Sequence, residues 1–424
     1  MKVAAILVAM GAIIALIPGM GQSAQTQAGE GGLLRQEQSH DFSDAEIAVL
    51  RSLWIGSLPP LPTDPSNAVS DDPRAVQLGK KIFFDPRFSA DKKISCATCH
   101  REEVSFTDNK PLAVGIGTST RRNMPIIGLA YFKWFFWDGR ADSLWAQALA
   151  PFENRVEQGI TRCKVVSLVI EHYRQKYEEI FGAAPDITEK NCPSNATPVS
   201  GDPLSRAEWE GMNPADRETV NIMFSNTGKV LAAYMRLVVP TPSRFDRYVE
   251  SLLKGDVSTM ASVLSAEEIE GMRIFIGKAK CVECHSGPLF SDGAFHNVNV
   301  EQPRGVPFDR GRSEGIEKVL ADEFNCYGKY SDADPRDCLA LNTIETDAQK
   351  HIGAFKTPIL RNVAVRPPYM HAGQFKTIAK VLAFYQYPFD FHLDFDLGHA
   401  TLQNRELELI ETFLQTLSSP LEAP

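Results

Sequence analysis

The 424-residue chain lacks features that define two common classes of protein. No segment has 18 consecutive apolar residues, so we expect no stable insertion of the mature protein into a membrane. Positive charge is not in excess, because 44 Lys and Arg against 53 Asp and Glu residues give a net charge of −9. This balance argues against nucleic acid as a partner. The length and the 43% hydrophobic content favour a globular protein of two domains.

The N-terminus has the pattern of an export signal. Lys2 precedes 15 mostly apolar residues, 3–17, a run that is shorter than a membrane span. We therefore expect a signal peptide over residues 1–28, cleaved after Ala28 or, alternatively, after Ala24, and a periplasmic mature protein. An uncleaved membrane anchor is the competing interpretation.

Eight cysteines are consistent with an oxidising compartment. Four of them belong to two short motifs, and the other four form an even remainder. We expect this remainder to pair as two local disulfides that close polar loops, with buried free thiols as the alternative. The expected pairs are Cys163 with Cys192 and Cys326 with Cys338.

The composition along the chain predicts a flexible or extended lead-in followed by helices. Residues 29–70 are rich first in Gly and Gln and then in Pro. After them, apolar residues recur at helical spacing and strand-like alternation is rare. The sequence therefore predicts a mainly α protein with long loops.

A weak internal repeat divides the helical part in two. The segments GKKIF at 79–83 and GMRIF at 271–275 each precede a C-x-x-C-H motif. Downstream of these motifs stand Phe-Thr-Asp at 106–108 and Phe-Ser-Asp at 290–292. Such a repeat predicts two related units. We expect two cytochrome-c-like haem domains, at residues 71–260 and 261–424.

The two C-x-x-C-H motifs are typical of covalent haem attachment. Two thiols one helical turn apart can bond the two haem vinyl groups, and the adjacent His100 or His285 can bind the iron. A split zinc site is less favoured, because zinc ribbons separate their Cys pairs by about 15–20 residues. A redox dithiol would not account for the histidines. The attachment residues are Cys96, Cys99, Cys281 and Cys284.

The spacing of the histidines suggests different tasks for the two irons. No histidine lies between His100 and His172, so no nearby histidine can bind the first iron from its other side. An iron with an open position can activate a small oxidant, whereas an iron with two protein ligands mostly transfers electrons. We therefore expect a working haem at His100 and a relay haem at His285, unless a distant Met or His closes the first site.

Further motifs surround the haem motifs. FWDGR stands at 136–140, and Gln147 and Glu157 follow Trp137 at intervals of ten residues. In the second half, TPILRNV at 357–363 precedes PYMHAG at 368–373. Together these motifs resemble those of the bacterial di-haem cytochrome c peroxidase family, which includes the MauG-type enzymes. The resemblance extends from about residue 72 to residue 417.

The resemblance implies roles for three residues near the first haem. Trp137 would mediate electron transfer between the haems, with a plain core aromatic as the alternative. Glu157 would move the proton that cleavage of the peroxide O–O bond requires, and Gln147 would hydrogen-bond peroxide or water. A solvated surface residue is the competing interpretation of Glu157.

The resemblance also suggests a second ligand for the relay haem. Tyr385 stands fourteen residues after His371, where peroxidases of this family usually have Met and MauG-like members have Tyr. An anionic Tyr oxygen should favour ferric and higher states. Met370 and His371 are rival ligands by their chemistry. A core role for Tyr385, on one helical face with Leu382, is the other alternative.

Two departures from the family pattern are visible. Residues 115–118, GIGT, stand where the peroxidases have a displaceable distal His, which implies that no reductive activation is needed. The family's inter-haem calcium would use the Asn123 side chain and the carbonyl groups of Arg366 and Pro368. The charge of Arg366, which replaces the usual Thr, would weaken that site. We expect residues 309–350 to form an inserted loop near the second haem.

We therefore expect a periplasmic di-haem c-type peroxidase. It would reduce hydrogen peroxide through high-valent iron, with electrons from a small cytochrome c or copper protein. A MauG-like oxidase that modifies side chains of a partner protein is the first alternative, and a non-enzymatic di-haem electron carrier is the second. The expected cofactors are two covalently bound haem c groups and one Ca²⁺.

Overall fold

Helices dominate the computed structural model, which describes residues 41–199, 201–386 and 402–423. The predicted signal peptide, residues 1–28, and the first part of the lead-in, residues 29–40, lie outside the described residues. Among the helices that are described, none has the length and apolar character needed to cross a membrane.

The prediction of a mainly α fold is confirmed. Within the described ranges, β-structure in named strands amounts to two short antiparallel pairs, β1 (Val239–Pro240) with β4 (Leu421–Glu422) and β2 (Phe295–His296) with β3 (Phe355–Lys356). The helices are α1 Asp44–Leu53, α2 Pro73–Phe83, α3 Cys96–Cys99, α4 Leu144–Glu153, α5 Arg162–Phe181, α6 Pro203–Gly211, α7 Pro214–Met235, α8 Arg244–Lys254, α9 Val257–Val263, α10 Ala266–Ile276, α11 Arg312–Ala321, α12 Leu339–Asn342, α13 Ile378–Gln386 and α14 Asn404–Gln415.

The lead-in prediction is wrong over α1. Ser43 caps this helix and forms a capping box with Glu46, which satisfies free amide groups of the first turn. Leu50 and Leu53 are fully buried and anchor the helix in the core. The capping signal is present in the sequence, but the Gly-, Gln- and Pro-rich composition of the flanking residues predicts an extended chain instead.

Two large hydrophobic clusters form the interior. The first includes residues of α2, α4, α5 and α7, and the second includes residues of α1, α8, α10, α13 and α14. Phe245 and Tyr248 of α8 pack in the second cluster, although they precede residue 260. The domain ranges 71–260 and 261–424 stay a prediction, and the packing of α8 does not follow that boundary.

The segment 309–350 packs differently from our expectation of a loop near the second haem. Phe324 lies in the first hydrophobic cluster, where its ring is 6.1 Å from that of Trp145 and 5.7 Å from that of Phe224. Glu323 reinforces this contact through an ion pair of 2.7 Å with the buried Arg162. The middle of the segment therefore covers the first cluster.

The repeated glycine in each half has a packing reason. A Cβ atom at Gly79 of α2 would lie 1.9 Å from the carbonyl oxygen of Val230 in α7. A Cβ atom at Gly271 of α10 would lie 1.9 Å from the carbonyl oxygen of Leu409 in α14. Each half therefore contains one close helix crossing that only glycine allows, which explains why the repeat preserves this position.

Both predicted disulfides are confirmed. Cys163, at the start of α5, is bonded to Cys192, with a Cα–Cα distance of 5.4 Å. Cys326 is bonded to Cys338 at 5.6 Å, inside the segment that covers the first cluster. The four motif cysteines take part in neither disulfide.

The close crossing of α2 and α7 predicts that Gly79→Ala destabilises the holoprotein by about 1–3 kcal/mol or more, because the added methyl group forces the helices apart. Denaturant unfolding followed by circular dichroism would measure the loss. Gly211→Ala is the matched control, since a Cβ atom there meets nothing within 4 Å. Equal stability of the two variants would contradict the steric explanation.

Candidate active site

Each motif histidine is oriented by a backbone carbonyl group. Nδ1 of His100 lies 3.0 Å from the oxygen of Phe106, and Nδ1 of His285 lies 3.0 Å from the oxygen of Phe290. Because a carbonyl oxygen only accepts, Nδ1 must carry the hydrogen, which leaves Nε2 with a free lone pair. Burial also lowers the pKa of both histidines, so the neutral form that binds metal is favoured. The geometry fits two iron ligands.

The turns that supply these carbonyl groups explain the second element of the repeat. Phe106 and Phe290 have φ values of 56° and 54°, in the left-handed region that residues other than glycine rarely adopt. Both side chains are almost fully buried, which holds the backbone in this conformation. The repeated Phe-Thr/Ser-Asp sequence therefore marks the turn that orients each histidine.

The motif thiols fit covalent attachment of a cofactor. Cys96 and Cys99 stand at the two ends of the single-turn helix α3. Burial raises the pKa of Cys96 to about 12 and that of Cys99 to about 11, and it raises the pKa of Cys281 to about 12. The four motif thiols form no disulfide. They remain available to bond the vinyl groups of a haem.

Two adjoining cavities lie beside the first motif. One is lined by Cys96, Cys99 and His100, and the other by His100 and Trp137. They contain about 610 and about 920 Å³ of space that protein atoms do not fill, open solvent included. Gln147 and Glu157 line both cavities, so the fold brings together the residues that the sequence predicted for the first site.

Glu157 is placed to exchange protons. Burial raises the pKa of its carboxyl group, while Arg140 and a hydrogen bond from Asn154 oppose the rise. The Asn154 amide donates to Oε1 of Glu157 at 2.7 Å. We did not predict Asn154, although its position three residues before Glu157 was a signal. A carboxyl group with a raised pKa can act as both proton donor and acceptor.

Gln147 presents an acceptor that the described protein atoms leave free. Its Oε1 is buried and has no hydrogen-bond partner in the part of the chain that the structure describes. A buried polar atom without a partner is costly, and a ligand in the cavity that donates a hydrogen bond would remove this cost. Hydrogen peroxide and water are both such donors.

The GIGT loop closes against the backbone of Glu157. The amide of Ile116 donates to the carbonyl oxygen of Glu157 at 2.9 Å, and that of Gly117 donates to Val156 at 3.1 Å. A Cβ atom at Gly115 would lie only 2.3 Å from the Glu157 oxygen, so no larger residue fits there without movement. The GIGT loop therefore supports the backbone of Glu157.

Asp138 of the FWDGR motif is the centre of a buried ion-pair cluster. Burial favours protonation of its carboxyl group, but the guanidinium groups of Arg140 and Arg121 outweigh burial and hold its pKa at about 2. Arg121 lies 2.6 Å and Arg140 3.0 Å from this carboxylate. Arg140 also stacks on Phe136 at 3.5 Å and lines the cavity with Glu157. We did not predict Arg140, although it belongs to the motif that we quoted.

Trp137 is buried where segments of the two halves meet. Its indole nitrogen donates to the carbonyl oxygen of Arg122 at 2.9 Å, and its own carbonyl oxygen accepts from the amide of Lys356 at 2.8 Å. The His371 ring lies edge-on at 6.5 Å. Trp137 is therefore fixed by residues from both halves.

Of the three candidate ligands for the second iron, Tyr385 has the clearest relation to the second motif. Its pKa is raised by burial and by the nearby thiols of Cys281 and Cys284. The residue nevertheless keeps 41% of its surface accessible. His371 instead stacks on Phe355 at 3.8 Å and accepts a hydrogen bond from the amide of Gln302.

One of the three predicted calcium ligands, the carbonyl oxygen of Arg366, already contacts a cationic group. The Asn123 amide donates to the carboxylate of Asp108 at 2.8 Å. The carbonyl oxygen of Arg366 accepts from both terminal nitrogens of Arg122, each at 3.2 Å. Pro368 follows Pro367 through a cis peptide bond. A guanidinium group thus contacts the carbonyl oxygen that was predicted to bind Ca²⁺.

Comparisons with known proteins agree with these features. Residues 73–254 match the model of a family described as di-haem cytochrome c peroxidase. The chain is 30% identical over 354 residues to the methylamine utilization protein MauG of Methylorubrum extorquens, covering 82% of this chain and 79% of that protein. It is 32% identical over 342 residues to the cytochrome-c peroxidase IdrP1 of Denitromonas iodatirespirans, covering 78% and 77%.

A solved structure shows the same fold. The diheme peroxidase BthA from Burkholderia thailandensis has a TM-score of 0.59 and 20% sequence identity, and the match covers 84% of this chain and 89% of that one.

Proposed function

Because the chain belongs to the di-haem cytochrome c peroxidase family, we propose that it reduces hydrogen peroxide at the first haem site. The observation that carries this proposal is the cavity shared by His100, Gln147 and Glu157. It combines an oriented iron ligand, a free hydrogen-bond acceptor and a carboxyl group with a raised pKa. These are the groups that a peroxidase site needs.

Members of this family carry two haem c groups, and the chain has an attachment motif for each. Cys96, Cys99 and His100 would hold the first, and the corresponding residues at 281–285 the second. When bound, the haem iron supplies the redox chemistry of the reaction. The overall reaction consumes two electrons and two protons for each peroxide and releases two water molecules.

The chain's own residues would manage the protons. The Oε1 atom of Gln147 would accept a hydrogen bond from a peroxide O–H group and hold the substrate in the cavity. The carboxylate of Glu157 would take a proton from one peroxide oxygen and return it to the other, which then leaves as water. Asn154 would keep the carboxylate in place through its hydrogen bond to Oε1.

Electrons would arrive from the second haem site by way of Trp137. This role is supported by the hydrogen bonds that fix the Trp137 ring and backbone to both halves of the chain. The electrons would come from a small cytochrome c or copper protein. The di-haem protein would act in the periplasm after export. At the second site, His285 and Tyr385 would be the iron ligands, which is supported by the position of Tyr385 near Cys281 and Cys284.

A MauG-like oxidase is the second candidate function. It would use the same first site but would take its electrons from side chains of a partner protein. Tyr385 favours this function, because an anionic oxygen ligand stabilises oxidised iron. The GIGT loop also favours it, since a first site without a displaceable histidine needs no prior reduction.

We do not include calcium in the proposal, because the residues present do not fit it. Arg122 and Arg366 are both buried, and neither forms an ion pair with a carboxylate among the described residues. Two guanidinium groups would repel a divalent cation bound to the Arg366 carbonyl oxygen.

The cavity geometry predicts that Glu157→Gln keeps its haem content but slows peroxide turnover about tenfold or more, because the amide cannot accept the proton. Rapid-mixing kinetics of the holoprotein would measure the effect. Glu103→Gln is the control, since this carboxylate is exposed near the same motif. Unchanged turnover of the Glu157 variant would contradict the proton-transfer role of Glu157.

The pH profile gives a second readout of Glu157. Burial raises its pKa above the ordinary value of 4.5, so the proton-accepting form is lost as the pH falls through that raised pKa. We therefore expect the rate of the native protein to fall on the acid side, above pH 4.5. The amide that Glu157→Gln introduces cannot titrate, so the residual rate of this variant should be flat there. An acid limb that persists unchanged in the variant would point to another group.

The second site predicts that Tyr385→Phe converts one low-spin ferric haem to high-spin, because the ring loses its ligand oxygen. EPR spectra of the oxidised holoprotein would show this change, while the first haem stays high-spin and reacts with peroxide before any reduction. Tyr327→Phe, at an exposed position, is the control. An unchanged low-spin signal would transfer the ligand role to another residue, with Met370 and His371 as the first candidates.

Because the Arg122 guanidinium group contacts the predicted ligand oxygen of Arg366, we expect the purified holoprotein to contain well below one equivalent of Ca²⁺. Atomic emission would measure the content. Treatment with EGTA should leave its absorption spectrum and its unfolding temperature unchanged, because no ion is removed. Recovery of one tightly bound Ca²⁺ per chain would show that Arg122 moves away from the Arg366 carbonyl oxygen.

A further inference from the structure

The cavity beside His100 and Trp137 has more positive than negative side chains in its wall. Four of the lining residues are cations, and one is a carboxylate, Glu157. Arg121 and Arg140 form ion pairs with the buried Asp138. Two cations of the wall therefore stay without a carboxylate partner within 4.0 Å among the residues that the structure describes. They are Arg122 and Lys356.

Lys356 is buried without a counter-charge. Its side chain is 3% exposed, and its ammonium group donates to the carbonyl oxygen of Trp134 at 2.9 Å. The same group lies 4.6 Å from the centre of the Phe132 ring. These neutral neighbours do not replace an anion, and burial lowers the pKa of Lys356 to about 7. A charged lysine here needs an anion in the cavity.

Arg122 is in the same situation. It is 7% exposed, and its two terminal nitrogens share one acceptor, the carbonyl oxygen of Arg366. Its Nε atom is buried and has no hydrogen-bond partner in the described part of the chain. A guanidinium group has five N–H donors in a planar fork that matches a carboxylate. The unused donors thus indicate a planar anion.

We propose that Arg122 and Lys356 bind the two propionate carboxylates of the haem attached at Cys96 and Cys99. This proposal rests on the haem content of the proposed function. Once the vinyl groups have bonded to the thiols, the carboxylates are the acidic groups that a haem c retains. Two carboxylates match two unpaired cations in charge and in number. The two cations and the iron ligand His100 line the same cavity.

The assignment also links the cations to Trp137. The carbonyl oxygen of Arg122 accepts from the Trp137 indole, and the amide of Lys356 donates to the Trp137 carbonyl oxygen. Unpaired positive charge close to an indole ring opposes removal of an electron from that ring. Pairing with the haem carboxylates would cancel this charge, so binding of the cofactor would prepare Trp137 for electron transfer.

A spectroelectrochemical titration of the holoprotein tests the proposal. Lys356→Met should leave the haem content unchanged but lower the reduction potential of the first haem, because an unpaired carboxylate near the iron favours the ferric form. We expect the ratio of ferric to ferrous first haem at a fixed potential to rise about tenfold, which is about 59 mV for one electron. The potential of the second haem should not change.

Two variants act as controls. Lys356→Arg keeps the charge and should stay close to the native potential. Lys133→Met removes an exposed charge nearby and should have little effect, since solvent and salt screen exposed charges. Arg122→Met provides an independent test and should shift the same potential in the same direction, even if the Lys356 variant folds poorly.

The outcomes separate this proposal from the proposed function. Unchanged potentials in both Met variants, or a shift confined to the second haem, would overturn the carboxylate assignment. The titration uses no peroxide, so it does not depend on peroxidase activity. A protein that shows the predicted shift but does not turn over peroxide would retain the carboxylate site and lose the peroxidase proposal.

Discussion

The first site depends on the ion pairs that the buried carboxylate of Asp138 forms with two arginines. The carboxylate holds Arg121 and Arg140 at 2.6 and 3.0 Å, and Arg121 extends the cluster to Asp309 at 2.6 Å. Removal of one buried partner from such a cluster typically costs about 3–5 kcal/mol, because the remaining charges lose their compensation. The cluster fixes Arg140 over Phe136 at the cavity wall and joins the first motifs to the segment that follows β2.

The two halves meet the same structural requirement in the same way and then diverge. Each places a glycine at a close helix crossing, at Gly79 and Gly271, and each orients its histidine with the carbonyl group of a left-handed phenylalanine. The difference lies in what faces the cofactor. The first half presents a carboxyl group and an amide, whereas Tyr385 lies near the thiols of the second half. The same local frame thus carries different side chains near the two motifs.

Local and evenly spaced features could be predicted from the sequence, and features that depend on distant contacts could not. The haem motifs, the mainly α fold and both disulfides follow from short-range patterns. Arg122 and Arg366 are 244 positions apart in the sequence. No local pattern therefore shows that the Arg122 guanidinium group contacts the carbonyl oxygen that was predicted to bind calcium. The packing of Phe324 against Trp145 is equally remote in sequence. The burial of Lys356 has no local signal either, because a lysine is usually exposed.

The balance of charge around Trp137 also bears on the choice between peroxidase and oxidase. In both proposed functions electrons would pass by way of Trp137, and nearby uncompensated cations would oppose removal of an electron from its ring. The chain keeps Lys356 and Arg122 buried at a considerable cost in desolvation, which folding alone would not favour over apolar side chains. An anionic cofactor edge accounts for both their burial and their position. The same charges that retain the cofactor would then set how easily Trp137 is oxidised, whichever molecule finally supplies the electron.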